Sequence, residues 1–284
     1  NIAVGNYALD ALTSGDYNTA VGLSALGANT TAGSNVAIGT SALEFNTTGA
    51  ANTAVGTSSL DANTTGDSNT AVGLNALGAN TTAGNNTAVG RNALFVNTTG
   101  ANNVAVGSLA LDANTTADGN TAVGQGAMSG TTTGANNIAI GLSSLYTNTT
   151  GASNTALGQG ALFANTTANL NTAVGFGAMY ANTTGTRNIG IGANAYNASD
   201  TESDNVAVGY DAMTTNTAGG EKNVAIGNYA LDALTSGDIN TAVGYQALSQ
   251  NTTGTKNTGV GYNALESVTT GDFNTAIGQS SGSE

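Results

Sequence analysis

Residues 69–85 read NTAVGLNALGANTTAGN and residues 86–102 read NTAVGRNALFVNTTGAN, so consecutive stretches of seventeen residues are nearly identical. The opening block, Asn-x-Ala/Gly-aliphatic-Gly, recurs along the whole chain of 284 residues. Its copies begin at Asn1, Asn18 and Asn35 and then every 17 residues, with one 18-residue copy at 205–222. Such a fixed short period indicates a repeat protein, in which each copy packs mainly on its neighbours.

The columns of the repeat predict where strands and turns lie. With positions counted from the first Asn, position 4 is always Val, Ile or Leu, and position 5 is always Gly. Positions 8 and 9 are usually Ala-Leu, and positions 12–15 usually read Asn-Thr-Thr-Gly or Asn-Thr-Thr-Ala. We predict short strands at positions 2–4 and 8–9, with glycine at the corners. The Asn-Thr-Thr segment is either a third strand or an Asx-type turn.

A period of seventeen residues is too short for helical-pair repeats or leucine-rich repeats, but it suits one coil of a β-solenoid. The predicted fold is therefore all-β: a parallel β-solenoid, or β-roll, of about 17 coils that forms a single domain over residues 1–284. Residues seventeen apart should lie above one another at the usual strand spacing of about 4.8 Å. The absence of proline agrees with a backbone used throughout for ladder hydrogen bonds.

Both faces of the predicted strands should be buried, because both carry apolar side chains. Residues 35–39 and 103–107 are apolar at positions 2, 3 and 4, and consecutive strand residues point to opposite faces. The same argument makes Ala42 and Leu43 face opposite ways. One Val and one Leu buried per coil contribute about 3–6 kcal/mol, far less than the backbone ordering cost. We therefore expect a parallel homo-oligomer.

Composition excludes several classes of chemistry. The chain has 4 Lys and Arg residues against 17 Asp and Glu residues, a net charge of −13, and it contains no His or Cys. Triads with histidine or cysteine, Cys/His zinc sites and disulfides are therefore excluded. So few basic residues make nucleic acid and anionic membranes unsuitable partners. We predict no catalytic, cofactor-binding or metal-binding residues, and we expect no integral membrane segment.

Two columns have a functional and a structural interpretation. Asn-x-Thr triplets are potential glycan acceptors, although a ladder of stacked Asn amides is favoured. The triplets at position 12 begin at Asn29, Asn46, Asn63, Asn80, Asn97, Asn114, Asn148, Asn165, Asn182 and Asn251. The Thr-Thr column, for example Thr30/Thr31 and Thr47/Thr48, resembles the hydroxyl arrays of ice-binding solenoids. Adjacent residues of one strand cannot both face outward, so turn and ladder roles are favoured.

Carboxylates and aromatic side chains are the other candidates. Asp16, Asp67, Asp118, Asp238 and Asp272 recur at position 16, and Asp10, Asp61, Asp112 and Asp232 at position 10. Calcium is one reading, but solvated charges that keep like molecules apart are favoured. The irregular stretch 193–204, with Tyr196, Asp200, Glu202 and Asp204, is the one candidate active site, and an imperfect coil explains it better. Outer aromatic residues either stack on sugars or receptors or fill an interface, and interface filling is favoured. They are Tyr7, Tyr17, Phe95, Tyr146, Phe163, Phe176, Tyr180, Tyr210, Tyr245, Tyr262 and Phe273.

The repeated Asn-x-Ala-aliphatic-Gly block resembles the head repeats of trimeric autotransporter adhesins, which form trimeric parallel β-rolls. The full repeat, as in residues 240–256, is also similar to repeats of phage tail-fibre and tail-fibre-like bacterial surface proteins. The resemblance extends over essentially the whole chain. The adhesin repeat is shorter than this one, so its cross-section and handedness are not carried over.

We therefore expect a non-enzymatic structural or adhesive fibre, located extracellularly, on a cell surface or in a virion tail fibre. Its expected partners are copies of itself, as a homotrimer and in end-to-end filaments, and a glycan or host-surface receptor. The alternative is a glycan- or ice-binding surface solenoid, and a less favoured one is a tail-spike-type glycosidase. Because the chain begins within the pattern at Asn1, we expect it to be part of a longer fibre.

Overall fold

The computed structural model describes residues 1–216 and 218–283 and divides into two compact units, Asn1–Ala139 and Ile140–Glu284. The described residues contain seventeen three-residue strands and no helix. In chain order the strands are β1 (Ile2–Val4), β2 (Thr19–Val21), β3 (Val36–Ile38), β4 (Thr53–Val55), β5 (Thr70–Val72), β6 (Thr87–Val89), β7 (Val104–Val106), β8 (Thr121–Val123), β9 (Ile138–Ile140), β10 (Thr155–Leu157), β11 (Thr172–Val174), β12 (Ile189–Ile191), β13 (Val206–Val208), β14 (Val224–Ile226), β15 (Thr241–Val243), β16 (Thr258–Val260) and β17 (Thr275–Ile277).

Each unit is a parallel β-solenoid in the predicted register. In the first unit, each strand from β1 to β7 pairs in parallel with the following strand, and partners are seventeen residues apart, as Ala54 and Ala71 are. The strands β10 to β17 of the second unit pair in the same way. Val206 pairs with Val224, so the 18-residue coil keeps the register. The extra residue falls within residues 214–222, of which Thr217 lies outside the described residues.

Small side chains occupy the inside of each strand. Ala54, Ala71 and Ala88 at position 3 are fully buried, whereas the larger residues at positions 2 and 4 point outward and are half-buried or exposed. The expectation that each coil buries one Val in its own interior is therefore wrong. The reason is steric, because the narrow interior is already filled by Ala at positions 3 and 8 and Leu or Met at position 9.

The predicted second strand at positions 8–9 is also wrong, since this segment is a turn in every coil. Ala42 and Leu43 both lie in the core with no exposed surface, so they do not face opposite ways. The left-handed backbone explains this: φ is +56° at Ser41 and +54° at Leu43, and the chain curls around its own interior. Left-handed φ values are uncommon for Leu, so packing between coils overrides local preference here.

The Asn-Thr-Thr segment is a bend that forms no strand, so the alternative of a third strand is wrong. Asn46 at position 12 donates its side-chain amide to the carbonyl of Gly49 three residues later, at 2.9 Å. The same amide donates to the Oδ1 atom of Asn29 in the neighbouring coil, at 3.1 Å. The predicted asparagine ladder is thus confirmed, and it runs through buried side chains.

Glycine at position 5 is required by stacking as well as by conformation. Gly90 has φ +134°, and a Cβ atom added to it would lie 2.5 Å from the carbonyl oxygen of Gly107 in the next coil. An atom at that distance overlaps the carbonyl oxygen. This contact explains why the column carries glycine in every coil.

Candidate functional surfaces

The outward side chains of the strands form an apolar surface, which we call the strand face; it consists of the first and last residue of each strand. The last residue is always Val, Ile or Leu, and the first is Thr, Val or Ile. Ile38, Leu157 and Ile226 are 41%, 42% and 41% exposed. Parallel sheets are normally covered on both faces. The aliphatic side chains of the strand face remain partly exposed to water in this single chain.

The Asn-x-Thr triplets at position 12 are not accessible as glycan acceptors in the folded chain. Their asparagines, such as Asn63 and Asn80, are fully buried. The Asn80 amide donates to the Oδ1 atom of Asn63 at 2.8 Å and to the carbonyl of Ala83 at 3.0 Å. Each side chain is therefore held inside the coil by the two partners that a ladder requires.

The threonine column also serves the stacking of coils. At position 13, the hydroxyls of Thr64 and Thr98 donate to the carbonyls of Thr81 and Thr115 in the next coil, at 3.0 Å in both cases. The position-14 residues, such as Thr82, are exposed. The two neighbours thus have different roles, and only one of them offers a hydroxyl to the surface. A flat double row of free hydroxyls, as an ice-binding surface would need, is not formed here.

The position-16 carboxylates bind the backbone of the preceding coil. Asp67 accepts a hydrogen bond from the backbone N–H of Ala50, and Asp118 accepts one from Ala101, each at 2.6 Å. These carboxylates are also exposed to solvent, so the hydrogen bonds add a structural role to the interpretation as solvated charges. The described residues contain no group of three or more Asp and Glu side chains placed to hold a metal ion.

Position 10 places two carboxyl groups partly out of water. Burial raises the pKa of Asp61 above its ordinary value. Burial likewise raises the pKa of Asp232 to about 6, with the neighbouring charge of Asp211 adding to the effect. Desolvation disfavours the charged form of a carboxylate, which accounts for the direction in both cases.

Polar side chains of the irregular stretch 193–204 form hydrogen bonds mainly with residues outside it. Tyr196 replaces the usual Leu at position 9, and its buried hydroxyl accepts hydrogen bonds from the amides of Asn205 at 2.6 Å and Asn216 at 3.2 Å. Burial strongly raises the pKa of Tyr196. The buried Glu202 carboxylate accepts hydrogen bonds from the backbone N–H groups of Asp200 and Gly219, at 3.0 and 3.1 Å.

The remaining carboxylates of this stretch also have partners. Asp204 forms a bidentate pair with Arg187, at 2.6 and 2.8 Å, and this guanidinium holds the pKa of Asp204 below its usual range. Asp200 accepts a hydrogen bond from the hydroxyl of Thr183. These contacts agree with the interpretation of an imperfect coil, since every carboxylate here contributes to local structure.

Aromatic side chains stack on one another along the second unit. Tyr146, Phe163 and Tyr180 all occupy position 10, with ring centroids 5.2 and 4.9 Å apart and rings parallel within 4°. The ladder ends at Tyr180, because the next residue in the column is Asn197. Aromatic residues of neighbouring coils thus contact each other. No single one of these residues indicates this stacking, because it depends on their alignment in one column.

A groove of about 290 Å³ lies where this ladder ends. We call it the aromatic groove; it is lined by Phe176 and Tyr180 and by the amide side chains of Gln159, Asn194 and Asn197. The sequence identifies Phe176 and Tyr180 as candidates for sugar stacking, but no sequence pattern selects the three amides. The amides come from two coils, and the two aromatic rings come from the coil between them. They meet only because residues at positions 6, 7 and 10 are stacked.

Two glycines make room for the groove. Gly160 and Gly177 occupy position 7, where only three of the seventeen coils have glycine. A Cβ atom on Gly160 would lie 3.3 Å from the Tyr180 ring, and one on Gly177 would lie 3.1 Å from the Asn194 side-chain oxygen. This rare column substitution is the sequence signal that could have indicated the groove.

A second depression of about 270 Å³ lies in the first unit. Its lining includes the aromatic rings of Tyr7 and Phe45 and the carboxylates Asp10 and Glu44. Two negative charges distinguish it from the aromatic groove, whose lining has none.

No helix in the described residues has the length and apolar character needed to span a membrane. No protein-family model matches the chain, and no curated protein matches it either.

Proposed function

We propose that the protein is a non-enzymatic structural or adhesive fibre, built by parallel self-association of this chain through the strand face. The observation that carries the proposal is the outward column of Val, Ile and Leu at position 4, which its own solenoid leaves partly exposed. Cell-surface, extracellular and virion-tail locations all suit such a fibre, and the resemblance to adhesin heads and tail fibres supports them.

The magnitude of the apolar effect favours association. Full burial of a Val, Leu or Ile side chain contributes about 1.5–3 kcal/mol, and side chains such as Ile38 are 41% exposed. Covering the exposed part of such a side chain therefore contributes roughly 0.5–1 kcal/mol per coil. Summed over the coils this approaches about 10 kcal/mol, comparable with the cost of association of about 4–15 kcal/mol.

The regularity of the face supports a parallel, in-register arrangement. Position 4 is aliphatic in every coil, whereas position 2 alternates irregularly between Thr and the aliphatic residues Val and Ile. Position 4 suits the dry centre of an interface and position 2 its margin. The irregular position 2 is poorly suited to an ice surface, which needs a constant array. The number of copies, three, is what the resemblance implies.

The test compares charge added on the strand face with the same charge added elsewhere. We expect Val89→Asp to lower the sedimentation mass of the particle, because three carboxylates would be brought together without partners. Thr82→Asp is the matched control, since Thr82 is exposed in the same unit but lies outside the strand face.

A second variant separates dissociation from misfolding. Val89→Thr keeps the β-branched shape, and Thr already occupies many position-2 sites of the same face, so it should fold while weakening association. If Val89→Asp and Val89→Thr both retain the native mass with an unchanged circular dichroism spectrum, the strand face is not the interface.

A further inference from the structure

We infer that the aromatic groove of the second unit binds a neutral saccharide. This inference deepens the adhesive part of the proposed function and rests on it only for its biological meaning. The groove itself lies within residues 159–197 and is formed by one chain.

The end of the aromatic ladder supplies a stacking surface. Phe163 covers one face of the Tyr180 ring at a centroid distance of 4.9 Å, and no aromatic residue follows Tyr180 in the column. Tyr180 remains 42% exposed and Phe176 is 59% exposed. The C–H faces of a pyranose ring are apolar, and a ring of that size can continue the stack over Tyr180.

The amides beside the rings are oriented for hydroxyl groups. The Asn197 amide nitrogen donates to the carbonyl of Gly177 at 2.8 Å, and that of Asn194 donates to Asp211 at 3.1 Å. These bonds orient both side chains, and the Oδ1 atom of Asn194 lies close to Gly177 in the lining of the groove. Gln159 adds an amide with donors and an acceptor. Amides next to an aromatic ring are the chemistry that recognises the hydroxyl-rich edge and apolar face of a sugar.

Charge selects a neutral ligand. None of the residues that line the groove is ionisable except Tyr180, and the chain as a whole has a net charge of −13. A sulfated or carboxylated glycan would find no cation here and would be repelled by the surrounding field. The volume of about 290 Å³ is near the lower limit for ligand sites, which fits a single sugar ring with its linkages rather than an enclosed chain.

The experiment is calorimetric titration of the full chain with cellohexaose, chitohexaose and a heparin hexasaccharide. We expect at least one neutral oligosaccharide to bind and heparin not to bind. Tyr180→Ala should weaken that binding by at least about tenfold, the equivalent of one aromatic contact. Tyr180→Phe keeps the ring and should bind as the unmodified chain does.

Controls keep the result interpretable if Tyr180→Ala does not fold. Phe176→Ala removes an exposed ring of the same groove and should also weaken binding. Phe95→Ala removes an exposed position-10 ring in the first unit and should have no effect. The inference is overturned if neither neutral sugar binds, if heparin binds more tightly, or if the groove variants bind normally. Particle mass is independent of these titrations, so this inference and self-association can fail separately.

Discussion

The asparagine ladder offers a sharp test of the stacked coils through Asn80→Ala. The Asn80 side chain donates to Asn63 and to the Ala83 carbonyl, and its Oδ1 atom accepts from the Asn97 amide at 3.1 Å. The Ala83 carbonyl keeps a second donor, Asn69, at 2.8 Å. Truncation therefore leaves two buried polar groups without this partner, one on Asn63 and one on Asn97.

The expected loss follows from those two groups. Each unsatisfied buried group costs about 1–3 kcal/mol, so Asn80→Ala should lower the free energy of unfolding by about 2–6 kcal/mol. That is a large part of the usual total of about 5–15 kcal/mol. The assay is urea denaturation followed by circular dichroism, at equal chain concentrations.

The matched control for Asn80→Ala is Thr82→Ala, two residues away. Thr82 is exposed, so its truncation should change stability by less than about 0.5 kcal/mol. Equal effects of the two substitutions would refute the buried ladder, and with it the proposal that position 12 faces the inside of each coil.

Two further predictions test stacking and burial. Gly90→Ala should destabilise the chain by more than about 2 kcal/mol, because strained backbone and overlap with Gly107 combine. The control is Gly278→Ala, where φ is +126° and nothing lies within 4 Å of the added Cβ atom, so the loss of stability should be clearly smaller. Equal losses for the two substitutions would contradict the close contact at Gly90. Burial raises the pKa of Asp232 from 3.8 to about 6, so the folded chain holds this proton more tightly than the unfolded chain. The resulting stabilisation is complete below about pH 4 and is lost as pH rises through 6; Asp232→Asn should remove this loss from unfolding curves measured across that range, and an unchanged slope would disprove the assignment.

Much of the fold could be predicted from the period alone. A fixed interval of seventeen residues places Val72 beside Val89, and it identifies positions 2–4 as the paired strand. The ladder role of the position-12 asparagines was also predictable, because identical amides at strand spacing can bond to one another.

The internal path of each coil could not be predicted in the same way. Leu43 has a left-handed backbone that local propensity disfavours, and packing and hydrogen bonding between neighbouring coils override that propensity. The outward direction of the valines depends on how narrow the interior is. Alternation along a strand shows that two faces exist, but it does not show which one is inside.

The aromatic groove could not be predicted from the sequence for a different reason. The groove is lined by residues of variable columns, such as Gln159, Tyr180 and Asn194, and none of them by itself indicates a binding site. Their proximity follows from the close stacking of three coils and from glycine at position 7 of two of them. A search for rare residues within a column, rather than for motifs along the chain, would have found them.

The most direct test of parallel self-association is native mass spectrometry of the unmodified chain across a range of concentrations. We predict a discrete particle with three times the 27.5 kDa mass of one chain. A particle that stays at the mass of a single chain at every concentration would contradict the account, because the aliphatic strand face would then remain in water.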